Sequence, residues 1–280
     1  MSVELPEAKI LSEQMNQQLL GKQVKSCQVQ DCERLQKIGM IDKDIAAFNK
    51  KLENAKIWQI SFRGNVIVVK FDNKNDLIIG LEYGGELFYH VDPKDVTRFH
   101  LRIEFTDNTV LTVRLTSMGV IQLLDEDNLE DSYVYKRDFD STKLSPSDKE
   151  FTLEQFSKQF AAQNKVLKAV LVGKDAILVG ISNSTFQDIM YRAKLHPKRK
   201  ASELTAKETK RLYDAIKYVV DERIRLHGKE DFLDLHQKHG GYTASMGPNM
   251  KDQKCPTCGT TIIKLAHGGG HIFLCPKCQV

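Results

Sequence analysis

The chain has 280 residues, of which 41% are hydrophobic and 28% are charged, and its formal net charge is only +4. This composition predicts a globular protein of more than one part, large enough for two modest cores and a small metal module. No run of about eighteen apolar residues occurs, which argues against a membrane-spanning helix. The opening MSVELPEAKI carries acids where a signal peptide needs a basic stretch and an apolar run, so we expect a cytoplasmic protein without a signal peptide.

The first half of the chain is predicted to be a helix followed by strands. Residues 6–20 show helical spacing of Ile10, Met15 and Leu19. From 57 to 124 the pattern is typical of strands, with runs such as VIVVKF and LIIGL, and Thr106-Asp107-Asn108-Thr109 predicts a hairpin turn. We therefore expect an antiparallel β-sandwich domain over residues 1–125, with an N-terminal helix packed against it.

The second half is predicted to be helical. Residues 126–148 are acidic, polar and contain proline, which favours a linker. Capping-box patterns at Thr152/Gln155 and Thr205/Glu208 predict helix starts within a helical domain over 149–250. The predicted fold class is therefore a multidomain α+β protein that ends in a small metal module over 251–280.

Four cysteines near the end of the chain predict a structural zinc site. Two Cys-x-x-Cys pairs are separated by sixteen residues, a spacing that suits tetrahedral thiolate coordination, and the ligands are Cys255, Cys258, Cys275 and Cys278. Four thiolates leave no open position on the metal, so we expect one Zn²⁺ per chain to stabilise the tail and not to catalyse. Two disulfides or four idle thiols are the alternative. Cys27 and Cys32 are expected to be reduced and partly buried.

The segment between the cysteine pairs is predicted to be a hairpin. Residues 260–264 and 272–274 have the character of short strands, and the glycine run Gly268-Gly269-Gly270 falls at or near the turn between them.

A basic group surrounds His196-Pro197, at the end of a predicted helix. Its members are Arg192, Lys194, Lys198, Arg199 and Lys200. Such a cluster is typical of nucleic-acid contact, and a solvated surface is the alternative.

Three motifs in this order resemble the Fpg/Nei family of base-excision DNA glycosylases. They are Glu4-Leu5-Pro6-Glu7; Gly180-x-Ser-Asn183 running to His196-Pro197; and the zinc hairpin ending Cys-x-x-Cys-Gln. The resemblance spans essentially the whole chain. It implies a helix-two-turn-helix (H2TH) module over 149–250 that grips double-stranded DNA containing damaged bases or abasic sites together with the zinc hairpin. We expect a monomer, and the same absence of a signal peptide and of a membrane span favours a cytoplasmic, nucleoid-associated protein.

The resemblance assigns DNA contacts to several residues of the helical half and the hairpin. Asn183 matches a phosphate contact, although an ordinary helix cap is the alternative. Lys168 matches a lysine near the lesion, Lys198 belongs to the basic group, and Gly269 and Gly270 lie in the finger that would rest against the DNA backbone or minor groove.

Three positions depart from the family pattern for strand cleavage. The N-terminal proline whose amine attacks the sugar is replaced by Val3, so an amine nucleophile would have to come from a trimmed Ser2 or Val3. The catalytic lysine of an Arg-Gly-Lys pattern aligns with Asn65 in Arg63-Gly64-Asn65, which leaves Arg63 as the retained basic residue and an expected DNA contact. The arginine of the zinc hairpin aligns with Gly270.

The remaining site residues lie at the N-terminus and in the sandwich. Glu4 matches the acid that protonates the sugar or base, and Glu7 matches a second carboxylate; helix N-terminal chemistry is the alternative for both. Tyr83 replaces the methionine that wedges into the DNA, and a sheet aromatic is its alternative. The Arg/Phe pair expected near residues 116–119 is absent.

Two functional hypotheses follow. The first is a divergent, endonuclease VIII-like glycosylase that flips a damaged base and cleaves its N-glycosidic bond, with doubtful strand-cleaving (AP lyase) activity. The second is a retired glycosylase that only binds damaged or structurally altered DNA.

Overall fold

The computed structural model describes residues 3–42 and 44–280 and divides into two compact units. The N-terminal unit comprises the chain up to Asp140 together with His227–Gly241. The C-terminal unit comprises Ser141–Leu226 and Tyr242–Val280. None of the described helices is both long and apolar enough to cross a membrane.

The N-terminal unit is the predicted antiparallel sandwich with its N-terminal helix. The strands are β1 (Val24–Val29), β2 (Ile57–Arg63), β3 (Val66–Phe71), β4 (Asn75–Gly80), β5 (Gly85–His90), β6 (Leu101–Phe105), β7 (Val110–Leu115) and β8 (Val120–Asp125). They form two four-stranded sheets with the orders β1-β6-β7-β5 and β2-β3-β4-β8. The helices are α1 (Leu5–Leu19), α2 (Glu33–Lys37), α3 (Ile45–Leu52) and α4 (Tyr133–Asp138), with a 3-10 turn at Pro93–Asp95.

The main core lies between the two sheets and beneath α1. Leu11, Met15 and Leu19 of α1 are fully or almost fully buried there. Burial of each such side chain contributes about 1.5–3 kcal/mol. The predicted turn at 106–109 joins β6 to β7, and Asn108 adopts the left-handed conformation (φ +66°) that such turns require.

The expected linker at 126–148 is folded over its first part. Residues Glu126–Asp131 form a 3-10 helix that is followed by α4. Leu129 and Val134 pack on the outer face of β3, against Val66 and Val68. Strand β3 is thus covered on both faces, which explains why its sequence is an unbroken apolar run. The boundary between the compact units falls at Asp140, not at the start of the acidic segment.

A second departure from the expected boundaries involves residues 227–241, which return to the sandwich. Phe232 and Leu235 belong to the sandwich core. The backbone N–H of Tyr89 donates to the Leu235 carbonyl oxygen at 2.9 Å, so this segment covers the edge of β5. Residues 227–241 of the predicted helical domain therefore pack with the first half of the chain, whereas residues 242–250 belong to the C-terminal unit.

The C-terminal unit contains helices and a single hairpin among the described residues. Its elements are α5 (Leu153–Ala161), α6 (Leu167–Leu171), α7 (Asn183–Ala193), α8 (Ala206–Arg225), 3-10 turns at Ala201–Glu203 and Pro248–Met250, and strands β9 (Ile263–His267) and β10 (Gly270–Leu274). The Thr205/Glu208 capping box opens α8, and Leu212, Ile216 and Val220 form its buried face. Thr152 caps α5 by accepting from the Gln155 N–H at 3.2 Å.

Candidate zinc centre and nucleic-acid interface

The four predicted cysteine ligands converge on one point of the C-terminal unit. Their sulfur atoms all lie within 4.8 Å of one another, with Cys255 Sγ 3.8 Å from Cys278 Sγ and Cys258 Sγ 3.5 Å from Cys275 Sγ. Zn–S bonds of about 2.3 Å in a tetrahedron place the sulfurs about 3.8 Å apart, so the four thiols fit one zinc ion. A set of four thiolates leaves no position for substrate, and the centre is structural.

Side chains around the cysteines hold the ligands in place. The Tyr191 hydroxyl on α7 lies 3.3 Å from Cys255 Sγ and 2.8 Å from Thr257 Oγ1. Gln279 accepts from the Cys275 N–H at 2.9 Å and donates to the Leu195 carbonyl oxygen at 3.2 Å. Spacing rules find the ligands alone, whereas these outer contacts depend on how α7 packs beside the hairpin.

The hairpin ends in a two-residue glycine turn. Strands β9 and β10 are antiparallel, with Ile263 opposite Leu274 at one end and His267 opposite Gly270 at the other. Gly268 (φ +55°) and Gly269 (φ +74°) are both left-handed, which is the conformation of a tight hairpin turn and explains the glycines. The first strand starts at Ile263, later than the expected residue 260, because the Thr260 carbonyl accepts from the Cys255 N–H at 2.8 Å within the cysteine loop.

Lys168 and Asn183 both contact the tip of the hairpin. Lys168 Nζ donates to the carbonyl oxygens of His267 at 2.7 Å and Gly268 at 3.2 Å. Asn183 Nδ2 donates to the His271 carbonyl oxygen at 2.9 Å. The two residues therefore hold the hairpin tip against α6 and α7. Burial lowers the pKa of the Lys168 ammonium group.

The alternative of a simple helix cap for Asn183 does not hold. The N-cap of α7 is Ser182, whose hydroxyl accepts from the Ser184 N–H at 3.4 Å, and Asn183 is the first residue inside the helix. Gln187, one turn further on, accepts from the Phe273 N–H of β10 at 2.7 Å. One face of α7 thus carries a row of amide side chains that bind the hairpin backbone. The sequence singled out Asn183 as a phosphate contact, which stays a prediction, and neither its contact with the hairpin nor that of Gln187 was expected.

The basic group divides into paired arginines and exposed lysines. Arg192 binds Asp188 at 3.2 Å, and Arg199 binds Glu208. Lys194, Lys198 and Lys200 are exposed. Of the predicted group, the lysines are the charges available to a ligand.

His267, the last residue of β9, lies within the electrostatic influence of Lys168, Lys198 and His196. Burial lowers the pKa of its imidazole, and the charges of Lys168, Lys198 and His196 lower it further. The imidazole is therefore neutral at pH 7. Gly270 lies beside Lys168 and Asn183, since a Cβ atom there would be 3.8 Å from Lys168 Nζ and 4.0 Å from Asn183 Nδ2. Gly269 has open space around it.

The N-terminal carboxylates lie at the start of α1. Glu4 is the N-cap of the helix and is 1% exposed, and Glu7 is fully buried. Glu7 Oε2 accepts from the Glu4 N–H at 3.2 Å, and Oε1 accepts from the Lys229 N–H at 3.3 Å. Glu7 thus joins the helix start to the returning segment 227–241 and has a clear structural role.

Val3 is a core residue. Its side chain is 2% exposed within the sandwich core, and its backbone N–H donates to the Leu81 carbonyl oxygen at 3.1 Å. Ser2, the other predicted source of an amine, lies outside the described residues.

Tyr83 projects from the loop between β4 and β5. Its side chain is 63% exposed, so it is not a buried sheet aromatic, and its N–H donates to the Met118 carbonyl oxygen at 3.0 Å. Met118, in the loop before β8, is 51% exposed. Sequence reasoning looked for an Arg/Phe pair in that loop and overlooked the methionine. Arg63 is half-buried at the end of β2, and its DNA contact stays a prediction.

The chain combines a β-sandwich, a helical unit and a four-cysteine zinc centre. This combination is the architecture of zinc-finger proteins with an H2TH domain, and three family models match the chain in that order. The model of the formamidopyrimidine-DNA glycosylase N-terminal domain matches residues 3–116, that of its H2TH domain matches 143–232, and that of the zinc finger found in FPG and IleRS matches 252–280. The chain belongs to the Fpg/Nei family of DNA glycosylases.

Individual relatives resemble the chain over its full length. Formamidopyrimidine-DNA glycosylases of Ligilactobacillus salivarius and Streptococcus pneumoniae strain R6 are each 27% identical over 99% of this chain and 98% of their own. Lactococcus lactis Fpg, in a complex with DNA containing an abasic site, has the same fold with a TM-score of 0.83, at 21% identity and with 99% of each chain covered.

Proposed function

We propose that this protein binds double-stranded DNA containing a damaged base or an abasic site and cleaves the N-glycosidic bond of a flipped base, with little strand cleavage. Its membership of a DNA glycosylase family supports the substrate class. The finer proposal rests on the surroundings of three residues at the start of α1. Val3 is buried in the core, Glu7 binds two backbone N–H groups, and Glu4 is the N-cap of the helix.

The amine route is disfavoured by the surroundings of Val3. Schiff-base chemistry needs a free amine presented to C1′ of the sugar. In the chain as translated the Val3 nitrogen is an amide, and it donates to the Leu81 carbonyl oxygen while its side chain lies in the core. Strand cleavage through that nitrogen would require both trimming and exposure of a core residue.

A water nucleophile fits the carboxylates better. Both oxygens of Glu7 accept backbone hydrogen bonds, so Glu7 is assigned to positioning the helix start. The Glu4 side chain also takes part in the capping box at the helix start, but Glu4 matches the acid of the family motif, so we assign it the acid–base step. Its carboxyl group protonates the departing base or sugar oxygen, and as a carboxylate it takes a proton from the attacking water. The products are a free base and an abasic site.

The hairpin tip and its neighbours are assigned to the DNA backbone. Lys168 and Asn183 lie beside Gly268 and Gly270, the charge of Lys198 acts on neighbouring His267, and the N–H groups of glycine can approach a phosphate closely. Tyr83, with Met118 beside it, is assigned to the gap left by the flipped base, where stacking on an aromatic ring contributes about 1–3 kcal/mol. Affinity should then fall steeply with salt, and a flat response would count against DNA as the ligand.

The test is base release measured beside strand cleavage on duplexes with 8-oxoguanine or an oxidised pyrimidine. Glu4→Gln should abolish base release and leave DNA affinity unchanged, whereas Glu13→Gln, an exposed glutamate on the same helix, should behave as wild type. Wild-type protein that leaves every duplex intact over hours would overturn the catalytic proposal.

The second candidate is a protein that binds damaged DNA without cleaving it. The observation in its favour is the burial of both Val3 and Glu4, at 2% and 1% exposure. It predicts tight, salt-sensitive binding to abasic duplexes, no base release by wild type, and no effect of Glu4→Gln on DNA affinity.

A further inference from the structure

Arg137, near the end of α4, sits at the centre of a polar network in the N-terminal unit. Its guanidinium binds the Asp138 carboxylate through Nε at 2.6 Å and Nη2 at 3.0 Å. Nη2 also donates to Asn65 Oδ1 at 2.6 Å, and Nη1 donates to Glu82 Oε1. One side chain therefore contacts its neighbour Asp138 and two separate parts of the chain.

The first of these parts is the tight turn between β2 and β3. Asp138 Oδ2 accepts from the Asn65 N–H at 3.0 Å. Gly64 beside it is left-handed (φ +59°), and a Cβ atom there would collide with the Asp138 carboxylate. The turn thus requires glycine for two reasons, and Arg137 and Asp138 together fix the turn to α4.

The second part is the loop that carries Tyr83. Glu82 binds Arg137, the Leu81 carbonyl accepts from Val3, and the Tyr83 N–H donates to Met118. The Tyr83 side chain itself is 63% exposed and is not fixed by packing. The direction of the Tyr83 Cα–Cβ bond, and with it the space that the ring can reach, therefore depends on the backbone of residues 81–83, which Arg137 holds through Glu82.

The burial of the network makes it sensitive to substitution. The side chains of Arg137, Glu82 and Asp138 are only 17%, 15% and 3% exposed. One guanidinium compensates two carboxylates, so removing it leaves two buried negative charges close together. A lysine retains the charge, but its single ammonium group lacks the planar fork that binds three partners at once.

We propose that Arg137 is a positioning residue that sets the orientation of Tyr83, and through it the protein's preference for DNA with a flipped or missing base. The inference rests on the proposed DNA-binding function. Arg137 itself need not touch DNA, because its effect passes through Glu82 to the adjacent Tyr83.

The first test measures the mobility of residue 83 in the loop between β4 and β5, in the absence of DNA. Trp58 is the only tryptophan, so the pair Trp58→Phe and Tyr83→Trp places a single indole in the loop. Adding Arg137→Lys should lower the fluorescence anisotropy of that indole. The matched control is Arg102→Lys, since Arg102 and Glu104 form an ion pair of similar exposure, 13% and 17%, on β6. An indole that responds equally to both substitutions, or to neither, would overturn the positioning role.

The second test is a double-mutant cycle on DNA binding. Arg137→Lys should weaken binding to an abasic duplex about 10-fold relative to undamaged duplex, and this loss should shrink to under about 2-fold when Tyr83→Ala is already present. Equal losses in both backgrounds would show that Arg137 does not act through Tyr83 and would overturn the proposal.

The two tests separate failure of this inference from failure of the proposed function. If wild-type protein binds abasic and undamaged duplexes equally, the proposed function is wrong, and so is the role of Arg137 in selecting damaged DNA. The anisotropy response would still decide whether Arg137 positions Tyr83.

Discussion

Lys168 Nζ lies 2.7 Å from the carbonyl oxygen of His267, so a lysine predicted to contact DNA also holds the tip of the zinc hairpin. Asn183 contacts the same hairpin from α7. The groups expected to bind a phosphate therefore also fix the position of the glycine turn. This arrangement makes the hairpin tip the most informative place for substitutions.

Gly270→Arg should add a DNA contact. A Cβ atom at Gly270 has ordinary contact distances to Lys168 and Asn183, so the side chain can be accommodated. The new cation would extend the basic surface, and the slope of log affinity against log salt should steepen by about 0.9 for one more phosphate contact. The measurement is a salt titration with an abasic duplex.

Gly268→Arg is the matched control for that substitution. Gly268 is left-handed (φ +55°), and a Cβ atom would lie 3.1 Å from Lys168 Cδ. This variant should weaken DNA binding, since a non-glycine residue in that conformation costs about 1–2 kcal/mol. Equal salt slopes for wild type and Gly270→Arg, with zinc content intact, would remove the hairpin tip from the DNA interface.

Tyr191→Phe should loosen the zinc centre. The substitution removes the hydroxyl that lies 3.3 Å from Cys255 Sγ, and loss of such outer contacts lowers metal affinity about 10- to 100-fold. Competition with a chelator measures the change. Tyr213→Phe is the control, because that hydroxyl donates to the Phe151 carbonyl oxygen, not to a zinc ligand. Identical zinc loss from the two variants would exclude a role for Tyr191.

Glu7→Gln should destabilise the N-terminal unit. A buried carboxylate that accepts two backbone N–H groups would become an amide, one end of which is a donor, so one N–H loses its acceptor at a cost of about 1–3 kcal/mol. Urea unfolding measures this loss. Glu13→Gln removes only an exposed i,i+4 ion pair with Lys9 and should cost no more than about 0.5 kcal/mol. Equal stability of the two variants would contradict the structural role of Glu7.

Glu208→Gln should reduce stability in a pH-dependent way. A hydrogen bond from Arg199, followed by the Thr205 backbone N–H, lowers the pKa of Glu208 from 4.5 to about 2. The ionised form therefore stabilises the folded state fully above pH 4.5, and this contribution disappears as the pH falls towards 2. Glutamine can still close the capping box, so the cost at pH 7 is that of the ion pair with Arg199, about 0.5–1 kcal/mol. Unfolding curves of the two proteins should differ at pH 7 and converge near pH 2; a constant difference would contradict this assignment.

The sequence predicted the features that depend on local pattern. Alternation and β-branched runs identified the sandwich, and cysteine spacing identified the zinc ligands, because both signals lie within a short stretch of chain. The capping box at Thr205/Glu208 likewise marked the start of α8.

Features that depend on distant contacts could not be predicted. Segment 126–138 is acidic overall, which concealed the apolar face formed by Leu129 and Val134. The return of 227–241 to the sandwich depends on Phe232 and Leu235 packing into a core whose other members all lie before residue 124. Likewise, nothing in the local sequence around Arg137 indicates its contact with Asn65.

The measurement that tests the central claim most directly is borohydride trapping of the N-terminally mapped protein on a duplex with a damaged base, with base release followed in the same reaction. We predict that the base is released, that no covalent protein–DNA adduct accumulates, and that Glu4→Gln abolishes release. An adduct that forms as fast as the base is released would show that an amine is the nucleophile and would contradict the water-based mechanism.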